Sequence, residues 1–291
     1  MQEDTRAGAD NGEVSVCESV KPGENIRLRG EDVASGESLA IPGDVLTPGK
    51  TSLLAATGND NVTVGRRPIV ALMATGSELR EGGESLADGT IYESNRAALA
   101  LLISAVAARP EVLPIVSDDP QATKAALERA FGLADIVVTC GGVSVGEMDF
   151  VKPAFEEIGG RLEFWKVAMR PGKPFVFGRL GDAKFLFGLP GNPVSAFVTF
   201  LLLVRPALLR WQGAHTVTLP WYPGILGEPL VNRGDRRHFA RVRMDESGKI
   251  FSAGKQASHI QHSLALADGL VDVPAKTELP AGSTIRVLRW T

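Results

Sequence analysis

Strand-like and helix-like segments alternate through the middle of this 291-residue chain, and this alternation limits the possible folds more than any other feature. The apolar run Ile69 to Ala74 has the composition of a buried strand, and the Ala- and Leu-rich stretch after Asn95 that of a helix. Further strands are predicted at 112–116, 136–139, 162–167 and 185–187, and further helices after Asp119-Pro120, at 150–158 and up to Gly213. This order favours an α/β fold with a central, mostly parallel sheet and helices on both faces.

The sequence pattern at the two ends of the chain differs from that of the alternating middle part. Residues 1–65 contain short β-like stretches, such as 26–28, broken by Gly, Pro, Asn and Asp, which predicts part of a small β-rich domain. After Thr216 we expect no further helices, and strands such as 238–244 and 284–288 indicate a separate β module. The predicted domains are therefore 1–65 (partial and β-rich), 66–214 (α/β) and 215–291 (β).

Composition and charge exclude several classes of protein. The chain has 31 basic and 34 acidic residues, so it lacks the positive field that would hold nucleic acid or an acidic membrane, while a small anionic substrate remains open. The longest apolar run, 196–204, is shorter than the ~20 residues of a membrane span. Cys17 and Cys140 have no disulfide or zinc spacing, and Cys140 is expected to be a buried strand-end thiol. We therefore expect a cytoplasmic protein that acts on a small molecule.

The segment Gly188 to Ala196 predicts a sharp turn from a strand into a helix, because it holds two glycines and two prolines. Pro193 suits the first helical position, where its φ is already fixed, and Asn192 before it is a typical N-cap residue. The free amides and the dipole of such a helix start favour a phosphate or another oxyanion. We interpret this segment as an anion-facing loop.

Four polar loops follow predicted strands, at 75–78, 117–119, 140–149 and 188–196. The carboxyl ends of parallel strands lie at one edge of a sheet, and ligands of such sheets bind there. We therefore expect these loops to form one rim that binds the substrate.

The acidic residues of this rim indicate a bridging Mg²⁺, because one or two carboxylates usually hold this ion together with substrate phosphates. Glu78 is a candidate, with a solvated turn residue as the alternative. Asp119 precedes Pro120 and is expected to be a helix N-cap, which leaves Asp118 as the better ligand. Asp149 is the third candidate, and it could also cap the helix that follows.

Three cations, Lys166, Arg170 and Lys173, surround a Pro-Gly turn, where they would neutralise an oxyanion. Lys166 alternates with apolar neighbours, so a solvent-facing strand position is its alternative. The four arginines of the segment 236–243 favour a solvated β face, with an anion contact across a domain interface as the alternative.

These motifs resemble those of the molybdopterin molybdotransferases, a family that includes bacterial molybdate-insertion enzymes and the E domain of gephyrin. The resemblance covers nearly the whole chain and is most specific in the loops 141–149, 170–174 and 188–196. The other matching motifs are Gly23-Glu24-Asn25-Ile26-Arg27, Gly30-Glu31-Asp32, Thr75 to Leu79, Ser94-Asn95, Asp118-Asp119 and Ser258-His259.

The resemblance implies a transferase of molybdenum cofactor biosynthesis. It would insert molybdenum from molybdate into the dithiolene of adenylylated molybdopterin and release AMP, with a divalent cation, normally Mg²⁺. It also implies a molybdopterin-binding role for the α/β domain and a β-barrel-like C-terminal domain. The alternative functions are a non-catalytic molybdopterin-binding or scaffold protein and, less favoured because of the flanking β segments, a molybdopterin adenylyltransferase.

The resemblance also implies roles for individual residues. The implied catalytic and metal-binding residues are Glu78, Asp118 and Asp149. The implied cofactor-binding residues are Asp32, Thr75, Gly76, Gly141, Gly142, Ser144, Lys166, Arg170, Lys173, Pro190, Gly191, Asn192, Ser195, Arg236 and Ser258.

Two departures from the family pattern bear on these expectations. Ser77 stands where the Thr-Gly-Asp-Glu motif has an acid, and Arg170 stands where Lys is commoner, but neither change removes the principal acids. Family members also carry a helical dimerisation region and an Asp-Asn-Ser-Ala-Met-Asp-Gly motif before the point that matches Met1. We therefore expect a misassigned start, with full activity only when that region is supplied. The resemblance implies a homodimer for full-length members of the family, and whether this chain forms one stays an open question.

Overall fold

The computed structural model describes residues 2–8, 12–19, 21–143 and 149–290. The chain divides into two compact units. The first comprises residues 1–41 and 46–62, and the second comprises residues 42–45 and 63–291.

The first unit contains little regular structure. A short antiparallel hairpin pairs β1 (Thr5–Ala7) with β2 (Val14–Val16). The predicted strand at 26–28 is wrong, since this exposed segment lies between turns. Helix α1 (Pro48–Ala56) was not predicted, although Thr47 followed by Pro48 is a typical helix start. In the structure Thr47 Oγ1 accepts a hydrogen bond of 3.3 Å from Lys50 N.

The second unit contains two sheets of six strands each and the remaining helices. Its strands are β3 (Ile69–Ala74), β4 (Leu79–Arg80), β5 (Ile91–Tyr92), β6 (Arg109–Val112), β7 (Ile136–Cys140), β8 (Arg161–Trp165), β9 (Met169–Arg170), β10 (Val176–Leu180), β11 (Lys184–Leu189), β12 (Trp221–Leu226), β13 (Leu230–Asn232), β14 (Arg237–Met244), β15 (Lys249–Ser252), β16 (Gly269–Val273), β17 (Thr277–Leu279) and β18 (Thr284–Leu288). Its helices are α2 (Asn95–Ala105), α3 (Pro120–Leu133), α4 (Val151–Glu157), α5 (Pro193–Thr199), α6 (Arg205–Trp211) and α7 (Gln261–Ala265), and a π-helical segment, Phe200–Val204, joins α5 to α6.

The first of these sheets has the order β6-β3-β7-β11-β10-β8. The strands β6, β3, β7 and β11 run parallel, and β10 runs antiparallel to both of its neighbours, β11 and β8. Helices cover both faces, with α2, α5 and α6 on one and α3 and α4 on the other. Strand β3 is buried on both sides, because alternate residues face the two helical layers. The predicted α/β fold is therefore confirmed.

Two predicted strands differ from the structure in their limits. The strand expected at 112–116 is β6, which begins at Arg109 and ends at Val112, although Leu113 N and Val116 N still donate to Leu72 O and Ala74 O of β3. The strand expected at 162–167 ends at Trp165, because Lys166 adopts a φ of 75°, outside the extended region. Strand β10, which lies between β11 and β8, was not predicted.

The helical segment from Pro193 to Trp211 is the long helix that the sequence predicts. By length and composition it could cross a membrane, but half of it is buried inside the protein. Ala196, Phe200, Val204 and Leu208, spaced four residues apart, are 0% exposed and pack against the central sheet. This segment is therefore a core helix of the α/β part.

The C-terminal strands close into a small barrel, which confirms the barrel-like expectation. The strands β12, β18, β16 and β14 are neighbours, and β15 pairs with both β12 and β14 and so closes the ring. The expectation that helices stop after Thr216 is wrong, because α7 lies in this region. Strand β9 joins the barrel as a parallel partner of β14, which brings Arg170 to the barrel edge.

Candidate functional site

The four loops predicted to form a rim lie at one edge of the central sheet. They follow β6, β3, β7 and β11, which are neighbours and run in the same direction. Backbone hydrogen bonds join the loops directly: Thr75 N donates to Cys140 O, and Gly141 N donates to Leu189 O, both at 3.0 Å. The fold therefore brings together segments that are far apart in the sequence.

The turn at 76–78 is fastened to the loop after β6. Ser77 N donates to Asp118 Oδ2, and Asp118 N donates to Ser77 Oγ, both at 2.9 Å. Asp119 accepts a hydrogen bond of 2.7 Å from Ala122 N and caps α3, as predicted. Ser77, the residue that departs from the family motif, thus holds the loop that carries Asp118 in place.

Glycines allow the loop backbones to approach each other. Gly141 and Gly142 have φ values of 92° and 66°, and a Cβ on Gly141 would lie 2.6 Å from Thr75 O. A Cβ on Gly142 would lie 2.8 Å from Thr75 Oγ1, and one on Gly191 would lie 3.8 Å from Gly141 Cα. The buried Thr75 Oγ1 has no hydrogen-bond partner among the described residues. The Thr75 hydroxyl therefore lies directly below the glycine backbone of the rim and could accept or donate a hydrogen bond.

The start of α5 is less open to an anion than predicted. Pro193 is the first helical residue and Asn192 occupies the N-cap, but the Asn192 side chain makes no cap hydrogen bond. Val194 N donates instead to Ser258 O, at 3.1 Å. Ser195 is 4% exposed, so its side chain lies below the surface of the rim. The carbonyl of Ser258 thus lies at the rim. It accepts the Val194 N–H, one of the helix-start amides that were expected to bind the anion.

The start of α2 connects the rim to the C-terminal region. Asn95 Nδ2 donates to Gly191 O at 2.8 Å, and Gln261 Nε2, at the start of α7, donates to Ser94 Oγ at 3.0 Å. Two adjacent residues therefore hold the glycine loop on one side and the barrel-side helix on the other.

A buried ion pair behind the rim was not predicted. Arg96 Nε lies 2.8 Å from Glu93 Oε2, and their side chains are 7% and 3% exposed. Arg96 also binds Glu81 and donates to Leu113 O at 2.6 Å. Glu93 Oε1 accepts a hydrogen bond of 2.6 Å from Asn95 N, which holds the start of α2. Neither an apolar pattern nor a motif in the sequence indicates that Arg96 and Glu93 form a buried pair, so the pair becomes evident only in the folded structure.

The three predicted metal ligands do not form a cage by themselves. In the described parts of the chain, no group of three or more Asp, Glu, His or Cys side chains lies close enough together to hold a metal ion. The carboxylates of Glu78 and Asp118 nevertheless both contact the 76–78 turn: Glu78 Oε2 lies over Gly76, and Asp118 Oδ2 accepts a hydrogen bond from Ser77 N. The N-cap position of α4 is Phe150, whose side chain makes no cap hydrogen bond. The role of Asp149, two residues before the helix, stays a prediction. Two carboxylates at one turn fit Mg²⁺ when substrate phosphates supply further oxygens.

Lys166 lies against an aromatic ring rather than only in solvent. Its Nζ is 3.8 Å from the centre of the Trp165 ring, and Lys152 Nζ is 3.5 Å from the same centre. Trp165 Nε1 donates to Val143 O at 3.3 Å, which ties the ring to the loop after β7. The exposed Lys173 accepts through its carbonyl from Val167 N, at 3.0 Å, and closes the turn that carries Arg170.

Arg237 and Arg243 are exposed, as a solvated β face predicts, but Arg241 of the same segment is not. Arg241 is 0% exposed, and it donates to Ser263 Oγ at 3.0 Å and to the backbone carbonyls of Lys255 and Ala257. Arg236 Nη1 donates to Met169 O at 3.1 Å, next to Arg170. An alternating pattern could not show this, because residues 255–263 fold over the strand from outside the sheet.

Arg170 lies beside His238 in the parallel pairing of β9 with β14. Burial, followed by the positive charges of Arg170 and Arg241, lowers the pKa of His238 to about 4. Burial, followed by the charge of Arg170, lowers the pKa of Arg241 to about 10. His238 Nε2 and Arg241 Nη1 are buried without a hydrogen-bond partner in the described structure. The charge of Arg170 therefore acts on two buried groups of β14, His238 and Arg241.

Cys140 is 2% exposed, and burial raises the pKa of its thiol, so the expectation of a buried strand-end thiol is confirmed. Asp32 is exposed in the first unit. Ser144 lies outside the described residues.

A parallel sheet with glycine turns and carboxylates at its strand ends, joined to a closed five-stranded barrel, defines a ligand-binding α/β protein of mixed architecture. Three family models match the chain in succession. They are the MoeA N-terminal region (domain I and II) over residues 1–58, a probable molybdopterin binding domain over 71–210, and the MoeA C-terminal region (domain IV) over 223–290.

The chain belongs to the molybdopterin molybdenumtransferase family. It is 37% identical to the molybdopterin molybdenumtransferase of Haemophilus influenzae, over 99% of this chain and 72% of the relative. It is 34% identical to the Bacillus subtilis protein of the same name, over 99% of this chain and 68% of the relative. The crystal structure of a molybdopterin biosynthesis MoeA protein from Pyrococcus horikoshii superposes with a TM-score of 0.78 at 31% identity, covering 99% of this chain and 71% of that one.

Proposed function

We propose that this chain inserts molybdenum from molybdate into the dithiolene of adenylylated molybdopterin and releases AMP. Membership of the molybdopterin molybdenumtransferase family supports the overall reaction. The observation that carries the proposal is the rim itself: two carboxylates, glycine backbone without side chains and a buried hydroxyl with no hydrogen-bond partner among the described residues lie at one sheet edge.

In this proposal Asp118 and Glu78 would hold Mg²⁺ together with the phosphates of the substrate, with Asp149 as the third acidic residue of the site. When bound, the ion would neutralise charge that develops on the phosphate of the leaving AMP. Ser77 keeps the Asp118 loop against the 76–78 turn through its two hydrogen bonds, so the carboxylate is oriented before the substrate arrives.

The glycine turns would bind the pyrophosphate and pterin parts of the substrate. Gly141, Gly142 and Gly191 carry no side chain that would keep a ligand away from the backbone, and the Thr75 hydroxyl beneath them is available for a hydrogen bond. Gly76, Pro190 and Asn192 complete the same loops. We keep Ser144, which lies outside the described residues, and Asp32 of the first unit in the proposal by family resemblance alone.

Molybdate is a dianion, so it would bind nearer to the cations than to the acids. We assign it to the neighbourhood of Arg170 and Arg236, which meet where β9 joins the barrel. Lys166 and Lys173, which flank the same segment, would contact phosphate or molybdate oxygens. Because Ser258 contributes its carbonyl to Val194 N, its hydroxyl is the group that remains for the ligand.

The division into domains 1–65, 66–214 and 215–291 stays part of this proposal. Each of the three matching family models falls within one of these ranges. Limited proteolysis tests it: the first cuts are expected near residues 65 and 215, and early cleavage inside the central sheet would contradict it.

The reaction can be tested directly. Purified protein is incubated with adenylylated molybdopterin, molybdate and Mg²⁺, and AMP release is followed by chromatography. We expect molybdate-dependent release that Asp118→Asn reduces by about a hundredfold, because a ligand that neutralises transition-state charge is lost. Glu128→Gln, an exposed carboxylate change on α3, is the matched control and should not alter the rate.

Absence of AMP release, both from this chain and from a form extended upstream of Met1, would contradict the transferase proposal. Tight binding of adenylylated molybdopterin without release would favour the alternative of a non-catalytic binding protein.

A further inference from the structure

One guanidinium behind the rim joins three separate segments of the chain. Arg96 lies in the first turn of α2, and its side chain is 7% exposed. Its Nη2 donates to both carboxylate oxygens of Glu81 at 2.7 Å, its Nε to Glu93 Oε2 at 2.8 Å, and its Nη1 to Leu113 O at 2.6 Å. Because the guanidinium is planar and rigid, these bonds fix the three partners relative to one another.

Two of these partners lie close in sequence to the carboxylates proposed to bind Mg²⁺. Glu81 comes three residues after Glu78, and Leu113 comes five residues before Asp118. A displacement of either partner would therefore be passed along a few peptide units to a carboxylate of the site. The same guanidinium thus supports both sides of the proposed metal site.

The segment 79–92 has little packing of its own. Its residues are all exposed or half-buried, and β4 and β5 within it are two residues long each. Arg96 binds this segment near both of its ends, through Glu81 and Glu93. The Leu113 carbonyl, by contrast, belongs to a backbone stretch that is hydrogen-bonded to β3. Arg96 therefore fastens an exposed segment to the core of the sheet.

We propose that Arg96 is a positioning residue for the metal site: it holds the segment 79–92 against the sheet and thereby keeps Glu78 beside the loop that carries Asp118. The ligand class is a divalent cation, so this inference rests on the metal site of the proposed function. Arg96 acts through Glu81, since each of its side-chain nitrogens already has a partner in the protein. The role requires a guanidinium, because a lysine ammonium carries the same charge but is a compact donor that cannot span three partners.

Binding of Mn²⁺, a paramagnetic substitute for Mg²⁺, tests this role without any catalytic step. The protein is titrated with Mn²⁺ in the presence of AMP, and electron paramagnetic resonance reports the free ion and hence the Kd. Arg96→Lys should raise the Kd about tenfold at unchanged net charge, since a metal site loses at least this much when a supporting contact is lost. Glu81→Gln should raise it similarly, because it breaks the same link at an exposed position where the fold tolerates the change. Asp88→Asn, which removes an exposed acid from the same segment, is the matched control and should bind as the wild type does.

A double-mutant cycle separates positioning from a general loss of structure. If Arg96 acts through Glu78, Arg96→Lys should weaken Mn²⁺ binding much less in the Glu78→Gln background than in the wild type. Equal effects in both backgrounds, an unchanged Kd for Arg96→Lys and Glu81→Gln, or no Mn²⁺ binding by the wild type would each overturn the proposal. If circular dichroism shows that Arg96→Lys does not fold, Glu81→Gln takes its place in the cycle. Arg96-dependent Mn²⁺ binding without AMP release would leave the positioning role standing and remove the transferase proposal, and AMP release with an unchanged Kd would do the reverse.

Discussion

Acidification should destabilise this protein through His238. Burial, with the charges of Arg170 and Arg241, lowers the pKa of His238 from 6.5 to about 4 in the folded state. The unfolded chain therefore binds the proton more tightly than the folded chain, and the stability contribution is complete above about pH 6.5 and falls as the pH drops towards 4. Since a tenfold difference in proton affinity corresponds to about 1.4 kcal/mol, this histidine alone removes roughly 3 kcal/mol at pH 4.

Urea unfolding at several pH values between 7 and 4 measures this loss. Carboxylates also titrate in this range, so the informative quantity is the difference between the wild type and His238→Leu, which keeps an apolar group in the buried position. We expect the free energy of unfolding of His238→Leu to fall less steeply with acid. The exposed His259 provides the control, because His259→Gln should retain the wild-type slope. Equal slopes for the wild type and His238→Leu would refute the reasoning.

Three further predictions follow from the site and its surroundings. Gly141→Ala should lower the free energy of unfolding by about 2 kcal/mol, because φ is 92° and the new Cβ would lie 2.6 Å from Thr75 O, whereas Gly82→Ala, with open space, should have little effect in the same urea assay. Ser77→Ala should remove the hydrogen bond from Asp118 N, cost about 1 kcal/mol and raise the Mg²⁺ concentration needed for half-maximal AMP release; an unchanged Mg²⁺ dependence would contradict its positioning role. Ellman's reagent should modify the exposed Cys17 rapidly and Cys140 only after denaturation, because burial raises the pKa of the Cys140 thiol, and rapid modification of the Cys17→Ser variant would count against this.

Much of the fold was predictable because local patterns decide it. The apolar run 69–74 becomes β3 with the predicted limits, and Asp119-Pro120 starts α3 with the predicted cap. The edge formed by the four loops was also predictable, since it follows from parallel strands alone. The predicted limit of β8 was wrong because a single residue, Lys166, leaves the extended conformation, and β6 begins and ends earlier than the apolar run suggested.

The site was predictable in its loops but not in its contacts. The sequence names the glycines and acids of the rim, yet it cannot show that Ser77 and Asp118 exchange hydrogen bonds or that Ser258 O takes the Val194 amide. Both contacts join segments far apart in the chain, so no periodicity or spacing reports them. The role of these residues in catalysis stays a prediction.

The sequence by itself determined the elements, their order and the loops that carry polar residues, because hydrophobic period, capping and turn residues act within a few positions of one another. The tertiary structure alone decided which charges are buried and which groups meet. Arg241 has the pattern of a solvated strand residue but is buried by a segment from outside the sheet, and Lys152 of α4 lies over the ring of Trp165 at the end of β8. Burial and charge proximity are properties of packed surfaces, so they arise only when distant segments come into contact.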